Sequence, residues 1–479
     1  MFPAIFARRG AWALAIELPV VGNIRQAEQS SGPAASRPGT KGVFIQTLGC
    51  QMNEHDTETM LGMLQQMGYY RVDAPEQAEL ILYNTCSVRE NPERKVYGQV
   101  HMLRQLKEKN PNLIIGICGC MTQQPAELER MRRELEHVDL IFGTLNIHRL
   151  PELLHKVKET GERVIEVWHE EGEIVEGLPV QRVGNLKAYV TIIYGCNEFC
   201  TYCIVPYVRG KERSRRPEKI LEEVHQLAAE GYKEIMLLGQ NVNAYGNDFD
   251  DENINFANLL RQVNEVPGIE RIRFTSPHPK HFTDDVIQAM AECEHVCPHV
   301  HLPAQAGSDR TLRRMGRRYT RAQYIDLVNR MREAIPDLAV TTDLIVGFPG
   351  ETEEDFQETL SLVREVEFDS AFMFIYSPRI DTPATRLKDF VPEDVAKDRI
   401  YRLIEVQNEV SLKKNREWIG RTVEVLVEGE SNKDPELLSG RAPNNKLVIF
   451  KGDPSMIGQT VPVAITEAKT WSLHGHYAG

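Results

Sequence analysis

A chain of 479 residues is longer than one ordinary core organises, so two to four domains are expected. Its 42% hydrophobic and 26% charged residues exclude a disordered or fibrous class, and nine cysteines in so long a chain fit metal binding in a reducing compartment better than a disulfide framework. A net charge of −13 argues against non-specific binding of nucleic acid, though it leaves room for a local basic patch.

Arg8 and Arg9 precede an apolar run from Ala11 to Val21, the opening pattern of a signal peptide. Glu17 and Pro19 interrupt that run and no cleavage site follows, so residues 1–41 read as a disordered extension, or as an over-long start to the gene, rich in Ser, Gly and Pro from Ser30 onward. No run is long and apolar enough to predict a membrane-spanning helix. From Val43 short apolar runs alternate with amphipathic stretches. Strands are expected at Val43 to Leu48, Leu80 to Asn84, Leu113 to Cys118 and Val138 to Phe142, with helices at Glu54 to Met67, at Arg94 to Lys107 and after Pro125. That alternation predicts a doubly wound parallel sheet, in a domain over 42–158.

Each of the first three strands is followed by a cysteine: Cys50, Cys86 and Cys120. In a parallel sheet the carboxyl ends of the strands share one edge, so these three thiols are expected to converge there. Strand alternation turns Cys118 into the packing of the sheet, which leaves Cys120 as the third ligand. Three thiolates without a fourth suit a [4Fe–4S] cluster with one open iron.

Residues 169–182 read as a linker. The apolar run Ala188 to Tyr194 is a strand, and Cys196, Cys200 and Cys203 follow it on one tight loop. These predict a second [4Fe–4S] cluster with an open iron, since zinc would call for a fourth Cys or His nearby. The spacing, with Tyr202 before the last cysteine, resembles the signature of the radical S-adenosylmethionine (SAM) superfamily, which implies SAM bound at the open iron. Five more strands follow, at 234–238, 271–275, 298–302, 339–346 and 371–376, each ending in a polar or glycine-rich turn. Six in all predict a partial (βα)6 barrel over 183–416 with its site on the loops after the strands. On those loops Tyr202, Gln240, Asn241, Gly347 and Glu351 are the candidates for contact with SAM, and Glu351 also suits a helix cap. His278 and His301 stay unassigned, and Cys293 and Cys297 lack partners.

Two basic runs stand out in this acidic chain. Arg209, Arg213, Arg215 and Arg216 follow the cysteine loop, and Arg310 to Arg318 carries five more arginines. Both border the expected barrel mouth and suit phosphate contacts with a polyanion. A long amphipathic helix over 391–416 leads into short strands from Arg421 onward, the pattern of a small β-barrel over 417–479. Arg441 and Lys446 give its turn a basic character.

The order of these parts resembles the methylthiotransferases, with an N-terminal three-cysteine domain, a radical SAM barrel and a C-terminal TRAM domain, over about residues 42–478. The stretches Cys200-Thr-Tyr-Cys-Ile-Val-Pro-Tyr207-Val-Arg209-Gly, Leu238-Gly-Gln-Asn-Val-Asn-Ala-Tyr245-Gly and Phe274-Thr-Ser-Pro-His-Pro279 carry the similarity to the branch that acts on isopentenylated adenosine in tRNA. Ala304, Ala306 and the Asn444-Asn445 turn depart from the usual pattern. The resemblance implies a sulfur-group transferase that methylthiolates C2 of N6-isopentenyladenosine at position 37 of tRNA. The cluster on Cys196, Cys200 and Cys203 would cleave SAM to a radical, and the cluster on Cys50, Cys86 and Cys120 would carry sulfur methylated by a second SAM. RNA contacts are expected from Arg209, Arg213, Arg215, Arg216, Arg441 and Lys446. A monomer in the cytoplasm, fed by an electron donor such as flavodoxin or ferredoxin and without a membrane partner, completes the expectation. The alternatives are a sibling acting on threonylcarbamoyl-adenosine or on a ribosomal-protein aspartate, and a non-catalytic RNA-binding Fe–S adaptor.

Overall fold

The computed structural model describes residues 41–87 and 90–479. The extension expected over 1–41 lies outside the described residues, except for Lys41, which opens the first strand. In chain order the N-terminal unit comprises β1 (Lys41–Thr47), α1 (Gln51–Gln66), β2 (Tyr69–Arg71), β3 (Leu80–Thr85), α2 (Glu90–Met102), α3 (Arg104–Lys109), β4 (Ile114–Gly119), α4 (Pro125–Glu134), β5 (Leu140–Phe142), α5 (Leu150–Thr160) and β6 (Val164–Glu166). All six strands are parallel, in the order β2-β1-β3-β4-β5-β6. Helices cover both faces. Met60, Leu61 and Leu64 of α1 pack with Leu150 and Leu154 of α5 on one side, while Val96, Val100 and Met131 of α2 and α4 pack on the other. The short edge strands β2 and β6 were not among the four expected, and the single helix expected over 94–107 is divided at Leu103.

After the linker come β7 (Lys187–Thr191), a ribbon of β8 (Ile193–Tyr194) with β9 (Arg213–Ser214), α6 (Val205–Arg209), α7 (Pro217–Ala229), β10 (Glu234–Leu238), α8 (Phe256–Asn264), β11 (Arg271–Phe274), α9 (Asp284–Glu292), β12 (His299–His301), α10 (Asp309–Arg314), α11 (Arg321–Ala334), β13 (Ala339–Val346), α12 (Glu353–Val366), β14 (Ser370–Ile375) and α13 (Glu393–Arg416). Strands β7, β10 and β11 form one parallel sheet and β12, β13 and β14 another. A parallel bridge from Ile272 to Val296 joins them, so six strands curve into a partial barrel around one continuous apolar core. The turns at their C-terminal ends all lie on one rim.

The C-terminal strands β15 (Thr422–Ser431), β16 (Asp434–Arg441), β17 (Leu447–Lys451), β18 (Thr460–Ala468) and β19 (Leu473–Tyr477) close into a barrel in the order β15-β16-β17-β19-β18. It sits on the opposite end of the large barrel, away from the loops that follow the strands. Arg273 donates to the carbonyls of Pro443 (2.9 Å) and Ala442 (3.2 Å), Arg271 donates to that of Arg441 (2.6 Å), and Lys446 pairs with Asp369. The N-terminal unit is joined by α1, buried along most of its length between its own sheet and β7. The linker runs alongside, where Arg182 pairs with both Glu58 of α1 (3.1 Å) and Glu223 of α7.

Candidate functional site

Cys50, Cys86 and Cys120 stand just past the C-terminal ends of the adjacent parallel strands β1, β3 and β4. Gly119 makes the turn that releases Cys120 from its strand. It takes φ +95°, and a Cβ there would meet the carbonyl oxygen of Thr85 at 2.3 Å. Gly49 brings its neighbours equally close, since its missing Cβ would lie 2.8 Å from that of Cys86. Under the three cysteines two asparagines interlock. Asn53 donates to Asn84 Oδ1 (3.0 Å) and the Thr85 carbonyl (2.9 Å), while Asn84 donates to the Asn53 carbonyl (2.8 Å) and Thr57 Oγ1 (3.0 Å). These buried amides fix the start of α1 against the sheet edge. Cys118 points the other way, fully buried with its sulfur 3.7 Å from that of Met60 on α1.

Cys196 and Cys200 are buried and Cys203 half-buried on the loop between β8 and α6. The loop is braced from several sides. Gly195 donates its N–H to Gln240 Oε1, Cys196 donates to the carbonyl of Gly210 (3.1 Å), and Thr201 donates to the carbonyls of Met315 and Arg314 (both 2.8 Å). Burial, with the neighbouring cysteines adding to it, pushes the Cys196 and Cys203 thiols up to about 12. Ligation of iron by either thiol would therefore release a proton.

The segment that leaves this loop also closes the other site. Ile204 and Val208 pack directly on Cys120. Thr144, beyond β5, donates to the carbonyl of Val208 (2.6 Å). Arg209, the last residue of α6, is buried against the start of α1. It pairs with Asp56 at 2.7 Å and donates to Asn53 Oδ1 at 3.3 Å. A single short helix thus leads from one cysteine triad to the other.

Both triads fit a [4Fe–4S] cluster in their donor chemistry. Each supplies three thiols and no fourth, and each has a buried guanidinium to balance negative charge: Arg209 beside the first, and Arg317, 3.4 Å from Cys200 Sγ, beside the second. Among the described residues no three Cys, His, Asp or Glu side chains gather round one point as a single ion would require, whereas a cubane spreads its three thiolates over three irons.

The residues expected to contact SAM are partly together. Tyr202 meets Phe348 edge-on at 6.3 Å, which sets the cysteine loop against the Gly347-Phe348 turn. Gln240 reaches the same loop at Gly195. Asn241 is buried, donates to Glu212 (2.8 Å), and leaves its Oδ1 with no partner. Glu351 does not cap a helix. The cap of α12 is Thr352, in a reciprocal pair with Asp355, and Glu351 instead accepts from Gly347 N–H (3.0 Å) and pairs with Arg399 (2.8 Å). Burial pushes its carboxyl up to about 7 although both partners favour the anion. His278 keeps a buried Nε2 without a partner, and its Nδ1 accepts from the Lys280 N–H.

The expected RNA contacts need correction. Arg209 and Arg215 are buried, Arg215 being held by Glu176 (2.7 Å), Glu223 (2.8 Å) and the Thr191 carbonyl (2.7 Å). Lys446 is buried on Asp369 and Asn415, and Arg441 donates to the Asn445 carbonyl (2.8 Å) in a site where burial lowers its basicity. Arg213 is half-buried and donates to the Gly172 carbonyl (2.6 Å). Only Arg216 of the six is exposed, over the ring of Phe249. Arg209, Arg317, Asn53 and Asn84 were not read as neighbours of the cysteines. The two asparagines were legible as polar residues inside apolar words next to a cysteine; the arginines gave no such signal.

Three family models match the chain: the uncharacterized protein family UPF0004 over 42–143, the radical SAM superfamily over 190–363, and the TRAM domain over 416–478. The chain is 55% identical over 435 residues to a tRNA-2-methylthio-N(6)-dimethylallyladenosine synthase of Geobacillus thermodenitrificans, covering 91% of this chain and 83% of that one. It is 53% identical over 440 residues to the protein of that name from Acetivibrio thermocellus, covering 92% of each. Among solved structures, the radical S-adenosylmethionine methyltransferase TsrM of Kitasatospora setae superposes with a TM-score of 0.53 at 13% identity, over 78% of this chain and 89% of that one, a likeness of fold.

Proposed function

The chain belongs to the tRNA-2-methylthio-N6-dimethylallyladenosine synthases, radical SAM methylthiotransferases, and from that premise we propose how its residues divide the reaction. Its substrate is tRNA and its cofactors are [4Fe–4S] clusters and SAM. These cofactors supply the radical chemistry that exchanges the unreactive C2–H of adenine for a methylthio group, which no acid, base or nucleophile of the protein could do alone. Cys196, Cys200 and Cys203 hold the cluster that faces SAM, within the barrel domain over 183–416. Cys50, Cys86 and Cys120 hold the cluster that serves sulfur, within the domain over 42–158. Tyr202, Gln240, Asn241 and the Gly347 turn line the SAM side, with Glu351 stiffening that turn from behind.

The observation that carries this division is the placement of both triads past strand ends, with α6 leading from one to the other and Cys120 packed on the residue after Cys203. On this reading one bound base meets both centres in turn. Phe199 and Tyr207 support the same reading: both are exposed large aromatics on the segment around the cysteines, 6.2 Å apart and edge-on, and they suit stacking of unpaired bases of an anticodon loop. With three of the six expected cations buried and two half-buried, exposed Lys211, Arg216, Arg313 and Arg318 take over the phosphate contacts, and the TRAM barrel over 417–479 binds RNA farther from the anticodon. Among the described residues no helix is long and apolar enough to cross a membrane. The reading includes a cytoplasmic monomer reduced by a flavodoxin- or ferredoxin-like donor. Iron content tests the ligand assignment. Anaerobically reconstituted protein is expected to carry two [4Fe–4S] clusters, and the Cys196→Ala, Cys200→Ala, Cys203→Ala triple variant one; a triple variant that keeps both overturns it.

A further inference from the structure

Arg209 is a cation that nothing in the reaction itself requires, in the interior of a domain it does not belong to. It leaves the barrel at the end of α6 and enters the N-terminal unit, where Asp56 and the side-chain oxygen of Asn53 receive it. Asn53 Oδ1 also accepts from the Cys50 thiol at 3.4 Å, so the guanidinium is one hydrogen-bonded step from that ligand. Cys120 lies under the same helix, packed on Val208, the residue before Arg209. Asp56 alone does not account for so costly a placement, since a buried ion pair by itself is seldom better than an apolar one.

We infer that Arg209 is a positioning residue for the N-terminal cluster: the barrel inserts a fixed positive charge beside Cys50 and Cys120, and so sets the reduction potential of whatever iron–sulfur centre those thiolates hold. This rests on the ligand assignment proposed above. The physical ground is simple. Reduction adds negative charge to a centre already surrounded by thiolates in a medium of low dielectric, and a nearby cation stabilises the reduced form more than the oxidised one. The guanidinium suits this work because it stays charged when buried, and its Nη2 reaches both Asp56 and Asn53. Because the cation comes from the segment that follows the radical triad, the potential of the sulfur-side centre depends on the two domains being docked.

The test uses the full chain carrying Cys196→Ala, Cys200→Ala and Cys203→Ala, so that only the N-terminal cluster remains, with its one-electron reduction by dithionite followed by EPR. Removing Arg209 alone would strand the buried Asp56, so the comparison is made between Asp56→Asn and Asp56→Asn/Arg209→Met. Asp56→Asn frees the cation from its counter-charge and is expected to raise the midpoint above that of the parent. Asp56→Asn/Arg209→Met is expected to lower it below that of Asp56→Asn, and Asp56→Asn/Arg209→Lys to restore most of the difference. Equal midpoints in these proteins overturn the inference while leaving the ligand assignment standing. A parent without any cluster overturns the assignment instead. If the Met variant loses its cluster and the Lys variant keeps it, the charge is needed even to hold the centre, which supports the inference; loss in both shows that shape rather than charge matters, and overturns it.

Discussion

Cys118 and Cys120 are two residues apart and have opposite fates, and the difference is one of direction. Within β4 alternate side chains face opposite ways, and Cys118 is turned onto Met60 of α1, where burial pushes its thiol up. Cys120 lies beyond the Gly119 turn, on the rim with Cys50 and Cys86. Cys118→Ala is expected to retain both clusters and most activity, at a cost of about 1 kcal/mol for the small cavity. Cys120→Ala is expected to lose the N-terminal cluster. Iron and sulfide analysis of the two variants decides, and the reverse outcome would move the ligand into the strand. This much was legible, because alternation in a strand and a glycine at its end are local properties. The fate of Arg209 and Arg215 was not. A run of arginines reads as a surface patch until Asp56, Glu176 and Glu223, which lie far away in the chain, are known to stand against it.

At the level of elements, the strands that carry cysteines were long and apolar enough to be recognised, whereas β2 and β6, three residues each at the sheet edges, gave no period to read. The opposite ends of the barrel strands have a separate task. Lys187 of β7, Glu234 of β10 and Arg271 and Arg273 of β11 stand side by side at the strand starts and make a charged bed for the TRAM barrel. Burial would raise the Glu234 carboxyl, yet Arg273, Lys187 and Arg271 hold it down at about 2, against an ordinary value of 4.5. A carboxylate depressed on folding contributes stability that is complete above its ordinary value and is lost as pH falls through the folded one, here about 3 kcal/mol between pH 4.5 and 2. Glu234→Gln is therefore expected to lower the thermal midpoint at neutral pH and to flatten its fall in acid. Midpoints of the apoprotein measured from pH 5 downward check this, and parallel curves for the two proteins would contradict it.

Over the whole molecule, the sequence already held the three-part order and the position of six cysteines on loops after strands, because strand ends impose short, repeated words. What it could not show was that the parts interpenetrate: α1 lies between sheet and barrel, and α6, which follows one triad, covers the other. The central claim is that the two triads share one reaction while doing different work. Cys86→Ala leaves the ligands near SAM untouched and deprives the N-terminal triad of a thiolate, whereas Cys200→Ala does the opposite. Both variants, reconstituted anaerobically and given SAM, dithionite and isopentenylated tRNA, should be assayed in parallel for 5′-deoxyadenosine and for the methylthiolated nucleoside. Cys86→Ala is expected to form 5′-deoxyadenosine and no methylthiolated adenosine, and Cys200→Ala to form neither. Methylthiolated adenosine from Cys86→Ala would contradict the account, because sulfur would then reach C2 without the N-terminal triad.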